Sequence, residues 1–254
     1  GLKKGINQRI YSKSYRKYAG KYNLYFYGTV NCESGTVTVA TLEINFAKEE
    51  AVTVKIATSE GGEKLYYGDL QISEMSPNVF IVLNSDFGEQ VSLTFYDEPM
   101  NCETFQCAVG AMLSISAGDL KRAPVLNRFI ITGYDVDEAH MKFIKAHLKL
   151  NTKYIDISPE MISTSVEGVF GKCEMADRIT DRLKKAFYSK RYYAIEDSFI
   201  VNTLRKDENL SLRQADELIA ELRNNSLSNI NFKINKSLDS TVYRCTNPKN
   251  ISQE

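Results

Sequence analysis

The chain of 254 residues has no tryptophan, only two histidines and five prolines, and no surplus of either charge, 32 basic residues balancing 32 acidic ones. Each scarcity excludes something. Without a basic surplus the chain lacks the broad positive footprint of a general nucleic-acid binder. No apolar run approaches the ~20 residues needed to cross a bilayer, and no charged-then-apolar leader opens the chain. A cytoplasmic protein with no membrane contact is therefore expected. Gly1 reads as a tag remnant, which leaves open an upstream module outside this sequence. The five cysteines, Cys32, Cys102, Cys107, Cys173 and Cys245, are odd in number and scattered, so reduced thiols are expected in place of a disulfide framework. The sequons at Asn209, Asn224, Asn235 and Asn250 matter only in a secreted protein.

Catalytic signatures are scarce too. His140 and His147 are seven residues apart. On one helix that separation is ~10 Å along the axis, too far to share a metal ion. Cys102 and Cys107 bracket a turn, and no second Cys/His pair completes a zinc site. Ser114-Ile115-Ser116-Ala117-Gly118 lacks the first glycine of a nucleophile elbow and ends an extended run without opening a helix. Gly61-Gly62 sits between two extended runs, where no helix follows to hold a phosphate. The expectation is a protein that is not an enzyme and carries no cofactor and no metal.

What the chain does have is extended sequence. From Lys21 to Thr132, runs rich in Tyr, Val, Ile and Phe predict eight strands, at 21–30, 36–46, 51–58, 64–74, 78–84, 90–97, 105–115 and 126–132. The breaks between them, such as Glu33-Ser34-Gly35, Ser76-Pro77-Asn78 and Asp86-Phe87-Gly88, carry turn chemistry. Links this short favour an up-and-down antiparallel order, and eight strands can close on themselves. Alternation puts Tyr22, Leu24 and Phe26 on one face of the first run. In 105–115 it groups Phe105, Cys107, Val109, Ala111, Leu113 and Ile115 opposite Gln106, Ala108, Gly110, Met112 and Ser114. The acidic start Asp135-Val136-Asp137-Glu138 then suits a helix, whose apolar stripe continues to Leu148. A short extended run follows at 154–157.

Gly20-Lys21-Tyr22, followed by eight strands and a helix, resembles the calycins, and the lipocalin type in particular, across residues 18–150. The departure is Tyr22 where that family has Trp. The resemblance implies a small hydrophobic ligand inside the barrel, and the face assignments above would line that cavity with Tyr22, Phe26, Phe105 and Val109. A barrel filled by its own side chains is the alternative, since an eight-stranded interior is only just wide enough for either.

The charge balance conceals a division. Residues 1–20 carry six basic residues and no acid; residues 21–165 hold 11 basic and 19 acidic, net −8; residues 166–254 hold 15 and 13, net +2. Breakers at Ser158-Pro159-Glu160 and Ser165–Gly168 mark a junction, giving a basic leader (1–17), a barrel-like domain (18–162) and a helical domain (163–254). In the last, amphipathic stripes predict helices at 172–189, 196–206 and 211–224, the final one capped by Ser211 with a stripe of Leu212, Ala215, Leu218, Ile219 and Leu222. Runs at 230–234 and 241–245 read as a β-hairpin.

Helices before a hairpin resemble a winged-helix module. That resemblance would make Lys184, Lys185, Lys190, Arg191, Arg213, Gln214 and Arg223, with the hairpin's Lys233, Lys236 and Arg244, contacts to DNA. Asp216, Glu217 and Glu221 on the same helix oppose it. The fold class expected is α+β: an antiparallel barrel or strongly curved sheet, plus a smaller helical domain with a hairpin. The leading functional expectation is a sensing protein, laid out like the sensor half of a bacterial regulator, whose barrel holds a small apolar molecule or peptide and whose C-terminal domain signals to a partner. The alternatives are a ligand-free scaffold or assembly protein, including a homo-oligomer, and a DNA-binding regulator.

Overall fold

The computed structural model describes residues 13–29, 36–58, 61–73, 75–97, 104–116, 122–150, 154–187, 193–227 and 231–233, with 13, 14 and 231–233 described in backbone alone. A short helix, α1 (Lys13–Arg16), precedes eight strands: β1 (Gly20–Tyr27), β2 (Val37–Ile44), β3 (Val52–Ala57), β4 (Glu63–Ile72), β5 (Asn78–Ser85), β6 (Gln90–Tyr96), β7 (Cys107–Ile115) and β8 (Pro124–Thr132). Neighbours in sequence are neighbours in the sheet, and β1 also pairs with β8, so the barrel closes. All eight runs predicted from the sequence are strands. The up-and-down order follows from the short turns: Gly61 (φ 78°) and Gly88 (φ 76°) take backbone conformations that other residues avoid.

Inward residues come from every strand. Leu24, Leu42, Ile44, Leu70, Ile81, Leu83, Leu93 and Ile131 are all at most 2 % exposed. On β7, however, the face is the reverse of the one that apolarity predicts. Met112 is buried and Ala108, Gly110 and Ser114 are partly buried, while Cys107, Val109, Ala111, Leu113 and Ile115 are exposed. The reason is volume. A Cβ added to Gly110 would lie 2.4 Å from the Phe129 ring and 2.3 Å from the Thr94 carbonyl oxygen. Phe129, itself 0 % exposed, already fills the space that a side chain on β7 would need. At Gly110 no side chain fits, and Ala108 and Ser114 on the same wall are small, Met112 being the one large residue there. Gly68 on β4 is a second close approach, where a Cβ would meet the Val82 carbonyl oxygen at 1.8 Å. Inward glycines of this kind let strands bend tightly enough to close a barrel.

Two compact units make up the chain: Gly1–Tyr25 with Thr38–Ser114 and Phe129–Asp135, and Phe26–Val37 with Ile115–Arg128 and Val136–Glu254. In the second, α2 (Met141–Leu148) begins later than the sequence suggests, because the Asp137 carboxylate accepts from the His140 backbone N–H and forms the turn before the helix. Its Lys145 carbonyl accepts from the Tyr27 hydroxyl at 2.9 Å. Beyond it come β9 (Tyr154–Ile157), α3 (Pro159–Phe170), α4 (Glu174–Ala186), β10 (Tyr193–Glu196), α5 (Asp197–Phe199), a π-helical segment (Ile200–Leu204), α6 (Arg205–Asp207) and α7 (Leu212–Asn224). The antiparallel pair β9–β10 and these helices share one core of Ile155, Ile162, Val166, Ile179, Leu183, Leu218 and their neighbours. Ser211 and Gln214 form the capping box of α7, at 3.2 and 2.9 Å.

Three expectations change. The stretch 159–170, where the sequence marks a junction, is a helix with Pro159 in its first turn. Leu212 is 53 % exposed and outside the buried stripe of α7. The first hairpin run, β11 (Asn231–Lys233), pairs antiparallel with β8 at Val125–Asn127, so it extends the barrel sheet. Its expected partner, 241–245, lies outside the described residues, as do Lys236 and Arg244.

Two measurements test this packing. Gly110→Ala should lower stability by about 1–3 kcal/mol through overpacking, read as a lower urea midpoint at unchanged slope. Gly168→Ala, in α3 with nothing within 4 Å of the added carbon, should instead raise stability by up to about 1 kcal/mol. Tyr27 is 3 % exposed, and burial pushes its phenol from 10.0 up to about 12. A raised folded-state value stabilises fully below the unfolded value and is lost as pH climbs through it. Between pH 10 and about 12, Tyr27 should thus cost the native state roughly 2–3 kcal/mol, and Tyr27→Phe should remove that part of the alkaline decline.

Candidate functional site

The residues expected to line a cavity divide three to one. Tyr22 is 6 %, Phe26 9 % and Phe105 2 % exposed, whereas Val109 is 47 % exposed on the outer face of β7. Phe105 precedes the strand, so its side chain does not share the parity of Val109; its N–H donates to the Lys17 carbonyl at 3.0 Å and turns the ring inward. Placing Val109 in the interior is therefore corrected: it follows a face reversed by the bulk of Phe129.

Around Phe105 the rings pack on one another. Its centroid lies 5.0 Å from that of Tyr18, 5.2 Å from Tyr22 and 5.6 Å from Phe95, and Phe95 meets Phe129 edge-on at 6.1 Å. These separations and tilts are those of favourable aromatic pairs. The polar tips are satisfied locally. The Tyr22 hydroxyl donates to the Tyr18 carbonyl at 2.9 Å, and the Tyr18 hydroxyl donates to Asp97 Oδ1. Lys17 Nζ lies 2.9 Å from the same oxygen and 5.1 Å from the Tyr18 ring centroid. Residues just before β1 thus plug this end with aromatic carbon and seal it with a Lys–Asp–Tyr cluster. The sequence signal was available in the aromatic content of Tyr15-Arg16-Lys17-Tyr18, a stretch otherwise expected to be a basic leader up to residue 17.

The cationic candidates are dispersed. Lys184 Nζ donates to Ser163 Oγ at 3.1 Å, and Lys185 is exposed at the end of α4. Arg213 is exposed beside Glu217, at 3.3 Å. Lys190 and Arg191 lie outside the described residues. Arg223 is 7 % exposed and donates to Asp197 Oδ2, which removes it from any surface and corrects its place among the contacts to DNA. The cause is its position on the inner edge of α7, next to the buried Leu222. Elsewhere on α4, Arg178 and Arg182 are held by Glu208 at 3.3 and 3.0 Å, and Arg182 also by Asp207 at 2.5 Å.

Arg223 is a costly side chain to bury. Its Nε and Nη1 are buried with no hydrogen-bond partner among the described residues, as is Asp197 Oδ1. Arg128 is close enough that burial first, and then the charge of Arg223, hold its guanidinium below the usual arginine range, with Asp197 acting against both. The two histidines do other work. His140 Nδ1 is 2.6 Å from Asp137 Oδ1, and His147 Nδ1 is 2.8 Å from the Phe143 carbonyl. Among the described residues no three of His, Cys, Asp and Glu gather within reach of one metal ion, and no helix is long and apolar enough to cross a membrane. The outer face of β2–β4 carries an open concavity of about 560 Å³, bordered by Glu43, Lys48, Lys55 and Tyr67.

Asp197→Ala should leave Arg223 as an uncompensated buried charge and cost about 3–5 kcal/mol, whereas the double variant Asp197→Ala with Arg223→Met should be far milder, since apolar replacement of both members of a buried pair is often neutral. Urea titrations of the two variants read the difference, and equal losses would contradict it. No family model, no curated protein and no solved structure matches this chain.

Proposed function

We propose that the protein is a non-enzymatic scaffold, in which a barrel filled by its own side chains presents surfaces to a protein partner. The observation that carries this reading is the ring cluster of Tyr18, Tyr22, Phe95, Phe105 and Phe129 in the very place where the lipocalin resemblance puts a ligand. A small apolar molecule there would have to displace rings that already make favourable edge contacts, losing burial worth about 1.5–3 kcal/mol per side chain. The sensing version of the function is weakened to that extent. The regulator version loses support as well, since Arg223 is internal and Arg178, Arg182 and Arg213 are matched by carboxylates. Among the described residues, the positive charge that remains on a surface is thin support for displacing counterions from a duplex.

Native mass spectrometry of the protein as purified from cells tests the reading. The chain mass should appear with no small-molecule passenger, and Phe105→Ala should create a cavity that binds an aromatic probe such as benzene, which the unmodified protein should not bind. A passenger at near-unit occupancy in the unmodified protein would overturn the scaffold and restore the ligand-holding barrel.

A further inference from the structure

The reversal of β7 has an outward side. Val109 (47 % exposed) and Leu113 (51 %) join Phe80 (42 %) and Val82 (41 %) of β5 and Tyr96 (74 %) of β6 on the outer surface. The strand registers make them one surface. Tyr96 lies opposite Asn78, next to Phe95, which pairs with Gly110 beside Val109; Ser92 connects Val82 to Leu113, and Thr94 connects Phe80 to Ala111. Every outward position of these three strands is uncharged, from Asn78 to Asn84 on β5, Gln90 to Tyr96 on β6 and Cys107 to Ile115 on β7. The outer face of β2–β4 differs sharply, with Glu43, Lys55, Glu63 and Asp69 among its outward residues.

We infer that this charge-free face of β5–β7 is where a second copy of the chain docks, face to face about a two-fold axis. The inference rests on the scaffold reading and names its partner. Two features select a second copy. A two-fold contact sets each surface against itself, so any charge near the axis meets its own like; this face alone among the compared strands avoids that, whereas β2–β4 would not. A partner recognised through charge would find nothing to pair with here. The area is also adequate. At side-chain areas of roughly 150–200 Å², the five large residues expose on the order of 450 Å² of apolar surface, in the range of patches that mark interaction sites. The Ser, Thr, Asn and Gln positions around them bring the face towards the ~800 Å² per partner of a standard interface.

Molar mass by light scattering and native mass spectrometry, over a concentration series, tests this. The expected result is a dimer in the micromolar range. Leu113→Lys and, separately, Tyr96→Arg place like charges across the axis and should weaken it by ~100-fold or more, while Thr41→Lys on β2 leaves it unchanged. Circular dichroism and the urea midpoint establish that each variant is folded; Tyr96 is exposed enough to accept arginine without disturbing the core. Hydroxyl-radical footprinting of the unmodified protein needs no variant, and should show Phe80, Tyr96 and Leu113 protected several-fold at dimer-forming concentrations. A monomer at every concentration overturns the inference, and so does a dimer indifferent to both substitutions with no protection of β5–β7. Neither outcome touches the scaffold reading, which falls only to a stoichiometric small-molecule passenger.

Discussion

Much of the barrel depends on one steric relation, the Phe129 ring seated where Gly110 has no side chain. The ring fills the interior from β8, and β7 answers with a residue that has no side chain. Because successive side chains alternate, placing Ala108, Gly110 and Ser114 inward obliges Val109, Ala111 and Leu113 to point outward. A single volume constraint inside the barrel thus fixes the chemistry of a surface outside it. Apolarity alone would have turned the strand over, at the cost of five apolar side chains competing with an aromatic ring already in place. Interiors packed to crystal density do not allow that exchange.

The same relation explains what the sequence revealed and what it hid. All eight strands were legible, because short runs of Tyr, Val, Ile and Phe between Gly-, Pro- and Asn-rich breaks constrain length, order and sense together. The facing of β7 was not, since both of its faces lack charge and the deciding neighbour, Phe129, is nineteen positions from Gly110. The α4 and α7 helices were legible through their stripes and, for α7, through Ser211. Helix α3 was hidden by Ser163, Thr164, Ser165 and Gly168, residues of weak helical preference held in place by packing. Ser165 hydrogen-bonds back to the Met161 carbonyl and accepts from Asn225, and Val166 is wholly buried. The four residues of β10 exist because β9 offers a partner 36 positions away, from Tyr193 to Ile157; no local pattern could announce them.

For the candidate site, the residue types were correctly located and their roles were not. Tyr22, Phe26 and Phe105 are interior, as the alternation suggested, but interior aromatic residues can surround a ligand or replace one, and composition does not distinguish the two. Only the ring-to-ring distances do. Likewise a run of arginines and lysines on an amphipathic helix leaves open whether carboxylates elsewhere match them. Asp207 at the end of α6 and Glu208 just after it, 25 or more positions beyond Arg182, do so here.

The ninth strand has a temporal consequence. Asn231–Lys233 lies beside Val125–Asn127, and about a hundred residues separate the two partners in the chain. During synthesis, at about 5–20 residues per second, β8 would emerge with that stretch of its backbone donors and acceptors unpaired, and would wait several seconds for the strand that pairs with them. An open strand edge is the usual nucleus of wrong pairing with another chain. That edge of the nascent barrel is therefore uncovered from the completion of β8 until Asn231–Lys233 arrives.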